Sequence, residues 1–222
     1  MVKRIVDQDG FVLKPFEEKL GVHKLKSVEK KNEAMALKSE RLSEIACLLT
    51  NVCRVESIIE TGTFKGNGTT TSYAFTGVDV YSCELNRDHY EASLVNIGYL
   101  PHVHIDHAYS VNKKQIPQDL INRIGVEKTP DYDNWLTETL HSNKNKRVMA
   151  SLDSDGRNGG KELEIIMAAI DLYDNVRCLI LDDLTTIKHS GTPEILEKEY
   201  GLDVYQVENR WGFVIVPEAA WG

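Results

Sequence analysis

The sequence contains no CxxC pair, no apolar run long enough to span a bilayer, no excess of basic residues, and no internal repeat or low-complexity tract. Each absence removes a class of function. Four cysteines, Cys47, Cys53, Cys83 and Cys178, do not form a zinc or disulfide framework, and Cys83 and Cys178 lie in apolar runs where cysteine acts as a small hydrophobe. Met1 to Arg4 is followed by Asp7 and Asp9 rather than by a signal-peptide core, so the expected compartment is the cytoplasm and no membrane is expected as partner. The net charge of -8 argues against a nucleic-acid partner, which would call for a basic face. The four lysines between Lys24 and Lys31 interleave with Glu29, Glu33 and Glu40, the pattern of a solvated helix surface.

What remains is a chain of 222 residues with 41% hydrophobic and 27% charged residues, enough for one sizeable core. From Arg54 onward, short β-rich runs alternate with helical patterns, which predicts an α/β fold with a mostly parallel sheet flanked by helices. The predicted strands are Val55 to Glu60, Asp79 to Leu85, Val103 to Ile105, Val148 to Asp153 and Val176 to Asp182. Leu163, Ile166, Met167 and Ile170 give Glu162 to Tyr173 a helical period, and Leu42, Ile45, Leu49 and Val52 do the same for Ala34 to Cys53. Asp203 to Val207 and Phe213 to Val216 are separated only by a short turn, so the sheet should end in a hairpin with one antiparallel C-terminal strand. Residues 1 to 33 read as an N-terminal extension or lid and 34 to 222 as the main domain. The polar stretch from Gly125 to Lys146 reads as an insertion at the sheet's edge, a candidate lid.

Chemistry concentrates after the first predicted strand. Glu60-Thr61-Gly62-Thr63-Phe64-Lys65-Gly66-Asn67-Gly68 joins a strand to a helix, and glycines there let the backbone approach a ligand while amide hydrogens point at it. Glu84 ends the next strand at the distance where such folds place an acid on ribose hydroxyls; its alternative role is to cap the helix starting near Asn86. Two later strands also end in acids, Leu152-Asp153-Ser154-Asp155 and Leu181-Asp182-Asp183. Carboxyl ends of parallel strands converge on one crevice, so these carboxylates should crowd a single site, and a hard divalent cation such as magnesium would neutralise them.

Ile59 to Gly66 resembles motif I of the class I S-adenosylmethionine-dependent methyltransferases, and Cys83-Glu84 resembles their ribose-binding position. The similarity covers roughly residues 40 to 218. Together with the two aspartate motifs it points to the metal-dependent O-methyltransferases of the catechol and macrocin types, and to the cephalosporin hydroxylase-like proteins. The resemblance implies a Rossmann-like doubly wound sheet. It implies cofactor binding by Glu60, Gly62, Thr63, Gly66, Glu84, Ser110 and Asp153, with His107-Ala108-Tyr109-Ser110 near the adenine. It also implies magnesium or another divalent cation on Asp153, Asp182 and Asp183, Asp153 serving catalysis as well, and a small hydroxylated molecule as substrate.

One position departs from that pattern. The lysine or histidine that serves as general base three residues after the first aspartate is here Gly156. Lys161, Lys188 and His189 are the substitutes in sequence, with His189 the preferred catalytic base, and Arg157 in the Gly156 to Gly160 run could hold an anionic substrate. The departure keeps open a cofactor fold with other chemistry, hydroxylation or cofactor cleavage, and a non-catalytic nucleoside-binding module. A nicotinamide dehydrogenase is disfavoured because the glycine spacing is GxxxGxG rather than GxGxxG. Trp221 at the chain's end either packs on a partner in a homo-oligomer or frays.

Overall fold

The computed structural model describes residues 23–24, 39–154, 158–184, 189, 191–207 and 211–217. Eight strands form one sheet in the order β1-β7-β8-β6-β5-β2-β3-β4. The strands are β1 (His23–Lys24), β2 (Ser57–Thr61), β3 (Asp79–Glu84), β4 (Val103–His107), β5 (Val148–Leu152), β6 (Val176–Leu181), β7 (Tyr205–Val207) and β8 (Trp211–Ile215). Strands β2 to β6 pair in parallel, β8 runs antiparallel to β6, and β7 and β8 pair antiparallel as the closing hairpin. The predicted antiparallel C-terminal strand is therefore β8. Strand β1 was not foreseen: it pairs antiparallel with β7, so that part of residues 1 to 33 belongs to the sheet. Lys24, read as helical surface, is in this strand; Lys26 to Lys31 lie outside the described residues.

Burial follows the parallel arrangement. Every residue of β2 and β5 is buried, as expected where helices cover both faces of a sheet. The pleat divides neighbouring residues between two cores. Ile59, Leu179 and Leu181 point to one side, where α5 (Trp135–Ser142), α6 (Gly159–Tyr173) and α7 (Thr192–Glu199) pack. Ile58, Cys178 and Ile180 point to the other, with Leu42, Ile45 and Leu49 of α1 (Ser39–Val52) and Tyr73 of α2 (Thr69–Ala74). The remaining helices are α3 (Arg87–Asn96) and α4 (Gln118–Ile124). No helix among the described residues is long and apolar enough to cross a membrane.

The stretch from Gly125 to Lys146 is not a lid. It contains a short 3-10 turn, Val126–Lys128, and then α5, whose Trp135, Leu136 and Leu140 are at most 1% exposed and sit in the larger core. Tyr109 and Ser110 carbonyls accept from the Trp135 and Leu136 amides, which ties the start of α5 to the end of β4. The segment is a crossover helix between β4 and β5. The polar residues around it masked three apolar side chains that carry the packing.

Candidate active site

The order of strand addition reverses between the parallel neighbours β2 and β5: from β2 the sheet grows outward through β3 and β4, and from β5 through β6 on the opposite side. Ligands of open α/β sheets bind beyond the strand carboxyl ends at such a switch point. A cavity of about 890 Å³ opens there, within the range of small-molecule and cofactor sites. Its wall combines the loop after β2, the ends of β3, β4, β5 and β6, helix α4, and Leu42 and Trp211 from outside the parallel set.

The loop's shape depends on two glycines in the left-handed region. Gly62 has φ +93, and a Cβ there would meet the Asp153 carbonyl oxygen at 2.6 Å. Gly66 has φ +74, and a Cβ there would meet Ile97 Cγ2 at 2.7 Å. The amides of Gly62 and Thr63 both donate to the Cys83 carbonyl, which pins the loop to β3. Gly62 and Thr63 line the cavity, whereas Gly66 packs behind it on α3. Phe64, itself in the left-handed region at φ 53, is half exposed at the rim with His89 edge-on to its ring.

The two glutamates occupy different environments. Glu84 lines the cavity and accepts from the Phe64 amide at 2.7 Å and the Asn86 amide at 2.8 Å. Asn86, not Glu84, caps α3, its side chain accepting from the Asp88 amide. Burial pushes the Glu84 carboxyl up to about 7 against those backbone donors. Glu60 is fully buried and does not line the cavity: Thr70 and Ser82 hydroxyls donate to its Oε2 at 2.7 and 2.6 Å. Burial raises its carboxyl to about 7 as well. In this structure Glu60 stands behind the cavity wall and braces the first turn of α2 and the neighbouring strand β3. Burial and nearby Lys65 lower the pKa of His89, which lies 3.8 Å from Glu84.

At the opposite end Asp153, Asp182 and Asp183 converge. One carboxylate oxygen from each lies within 4.8 Å of the others, and all three residues line the cavity. Asp182 is buried, and its amide donates to the Leu152 carbonyl, while Asp183 adopts φ 52, a conformation that aspartate tolerates better than most residues. Hard oxygen donors converging in this way suit magnesium, manganese or calcium. Thr69, at the start of α2, donates its hydroxyl to Asp153 Oδ2 at 3.1 Å. Ser110, 7% exposed, lines the cavity after β4.

Neither described base candidate, His189 or Lys161, lines the cavity. His189 is 2% exposed, its Nε2 lies 3.2 Å from the Leu152 carbonyl, to which it can only donate, and it does not line the cavity. In this structure the His189 ring is buried against a strand carbonyl and away from the cavity wall. Lys161 points outward and pairs with Glu164 at 2.9 Å. Asp155, Gly156, Arg157, Lys188 and Trp221 lie outside the described residues.

Sequence reading missed the wall formed by Ile116, Leu120, Arg123 and Ile124. The signal was weak: Leu120 and Ile124 share one face of the short helix α4, while Ile116 reaches the wall from the extended stretch before it. It also missed Leu42, read as a core-facing helix position, and Trp211, read as part of the hairpin turn but in fact the first residue of β8.

No protein-family model and no curated protein sequence matches the chain. Solved structures do. A protein from Staphylococcus aureus named as a caffeoyl-CoA O-methyltransferase is 14% identical with a TM-score of 0.51, over 91% of this chain and 90% of that one. Cofactor-bound Rv0187 from MTB is 15% identical with a TM-score of 0.52, over 85% and 84%. A protein from Klebsiella pneumoniae named as an O-methyltransferase is 14% identical with a TM-score of 0.50, over 83% of each chain. At these identities the similarity establishes the fold alone, the Rossmann-like sheet with one antiparallel C-terminal strand that these structures share.

Proposed function

We propose that this protein is an S-adenosylmethionine-dependent methyltransferase that methylates a hydroxyl of a small molecule, assisted by a divalent cation. The observation that carries the proposal is the joining, in one cavity, of a nucleoside-type end and a carboxylate end. The glycine loop, Glu84 and Ser110 form the first, and Asp153, Asp182 and Asp183 form the second.

Each residue has a role that follows from its position. Gly62 and Thr63 let the cofactor's amino-acid part lie close to the backbone, and Glu84, ionised, accepts from both ribose hydroxyls. Ile116, Leu120 and Ile124 offer an apolar wall where an adenine ring can be excluded from water. Asp153, Asp182 and Asp183 would hold magnesium, which when bound supplies a Lewis acid that lowers the pKa of a hydroxyl and orients its oxygen. Leu42 and Trp211 give the cavity an apolar flank for the body of a small substrate.

The test is to incubate the protein with labelled S-adenosylmethionine, magnesium and a panel of hydroxylated small molecules, and to follow methylated product by mass spectrometry. Transfer that Asp182→Asn abolishes supports the proposal. Cofactor consumed without methylated product would favour a second reading, non-methylating chemistry on the same fold. That reading draws on Gly156 at the usual base position and on His189 lying away from the cavity wall.

A further inference from the structure

Three consecutive threonines open α2, and Thr69, which also neighbours Glu60, is the one whose hydroxyl reaches Asp153. Thr69 donates to Asp153 Oδ2 at 3.1 Å, Thr70 to Glu60 Oε2 at 2.7 Å, and Thr71 to the Gly66 carbonyl at 2.6 Å. β-Branched residues are unfavourable in a helix, so three of them in a helix of six residues call for an explanation in what they hold. Thr70 and Thr71 hold the loop that precedes them. Thr69 alone reaches across to the end of β5.

The geometry points to Thr69 as a positioning residue for the cation-binding carboxylates, an inference that rests on the reading of Asp153, Asp182 and Asp183 as that site. The Asp153 amide donates to the Thr61 carbonyl at 3.0 Å, which fixes the backbone, and the Thr69 hydroxyl adds a contact on the carboxylate itself. A hydroxyl on one carboxylate oxygen restricts its rotation and holds the group toward Asp182 and Asp183. Such partners of a ligating carboxylate are typically worth about 10- to 100-fold in metal affinity. Because the donor belongs to the helix that follows the glycine loop, the same contact links the two ends of the cavity.

The experiment compares manganese binding, by calorimetry and by the electron paramagnetic resonance of free manganese, in the intact chain and its Thr69→Val and Thr69→Ser variants. Affinity for S-adenosylhomocysteine is measured in parallel without metal. Thr69→Val should weaken manganese binding about 10-fold or more, keep the homocysteine ligand within about twofold, a few tenths of a kcal/mol, and be rescued by Thr69→Ser. Unchanged manganese binding in Thr69→Val, or an equal loss of both ligands that serine does not restore, overturns the proposal. No manganese binding by the unsubstituted chain overturns the cation-site reading itself, and this proposal with it.

Discussion

Gly62 is where residue chemistry and site geometry meet most tightly. A methyl group there would collide with the Asp153 carbonyl in a backbone conformation that L-residues avoid. Gly62→Ala should cost about 1–3 kcal/mol and abolish cofactor binding, as thermal denaturation and calorimetry would show; an unshifted melting temperature would contradict the strain. The two glutamates predict pH dependence of known sign. Burial holds Glu60 and Glu84 protonated up to about 7, whereas the unfolded chain releases those protons near the ordinary 4.5. Their contribution to stability is thus full below the unfolded value and is lost as pH rises through about 7. The melting temperature should fall across that window, and Glu60→Gln, uncharged throughout, should flatten the fall; equal slopes would count against a protonated Glu60. Cofactor affinity should move the other way, rising as Glu84 ionises through about 7, and Glu84→Gln should bind more weakly without that rise. Sequence spacing placed Glu84 well because the strand end fixes it. It could not separate Glu60, one residue inside the strand, from the ligand face, nor see that His189 turns inward, because both depend on which way a side chain points.

Among the elements, α5 shows where periodicity fails. Eight residues hold only three buried apolar side chains, and the helix starts at Asn134 in a left-handed conformation with no side-chain cap bond, so both period and start signal are weak. Leu140 is fully buried. Leu140→Ala should therefore cost about 2–5 kcal/mol in denaturant unfolding, where a lid residue would change turnover and leave stability alone. The strands were legible for the opposite reason. Ile58-Ile59 and Leu179-Ile180-Leu181 face helices on both sides, and a continuous apolar run is what such burial requires. Helix α4, Gln118–Ile124, is only seven residues long, too short for Leu120 and Ile124 to establish a period on their own.

Across the whole molecule, alternation of strands and helices together with the final hairpin was enough to predict a mostly parallel sheet with one antiparallel C-terminal strand, which the structure places beside β6. Strand β1 was not predictable, because two residues of edge pairing leave no periodic trace. The site was legible as two halves, a glycine loop and a set of strand-end aspartates, and the topology accounts for their meeting: both sit at carboxyl ends flanking the switch between β2 and β5. The central claim is that this one cavity takes S-adenosylmethionine and a divalent cation together. Calorimetric titration of the intact chain with S-adenosylmethionine, with and without magnesium and beside Asp182→Asn, tests it most directly. The account predicts cofactor binding at about micromolar affinity, with magnesium uptake that the variant loses. Absence of cofactor binding under both conditions would contradict it.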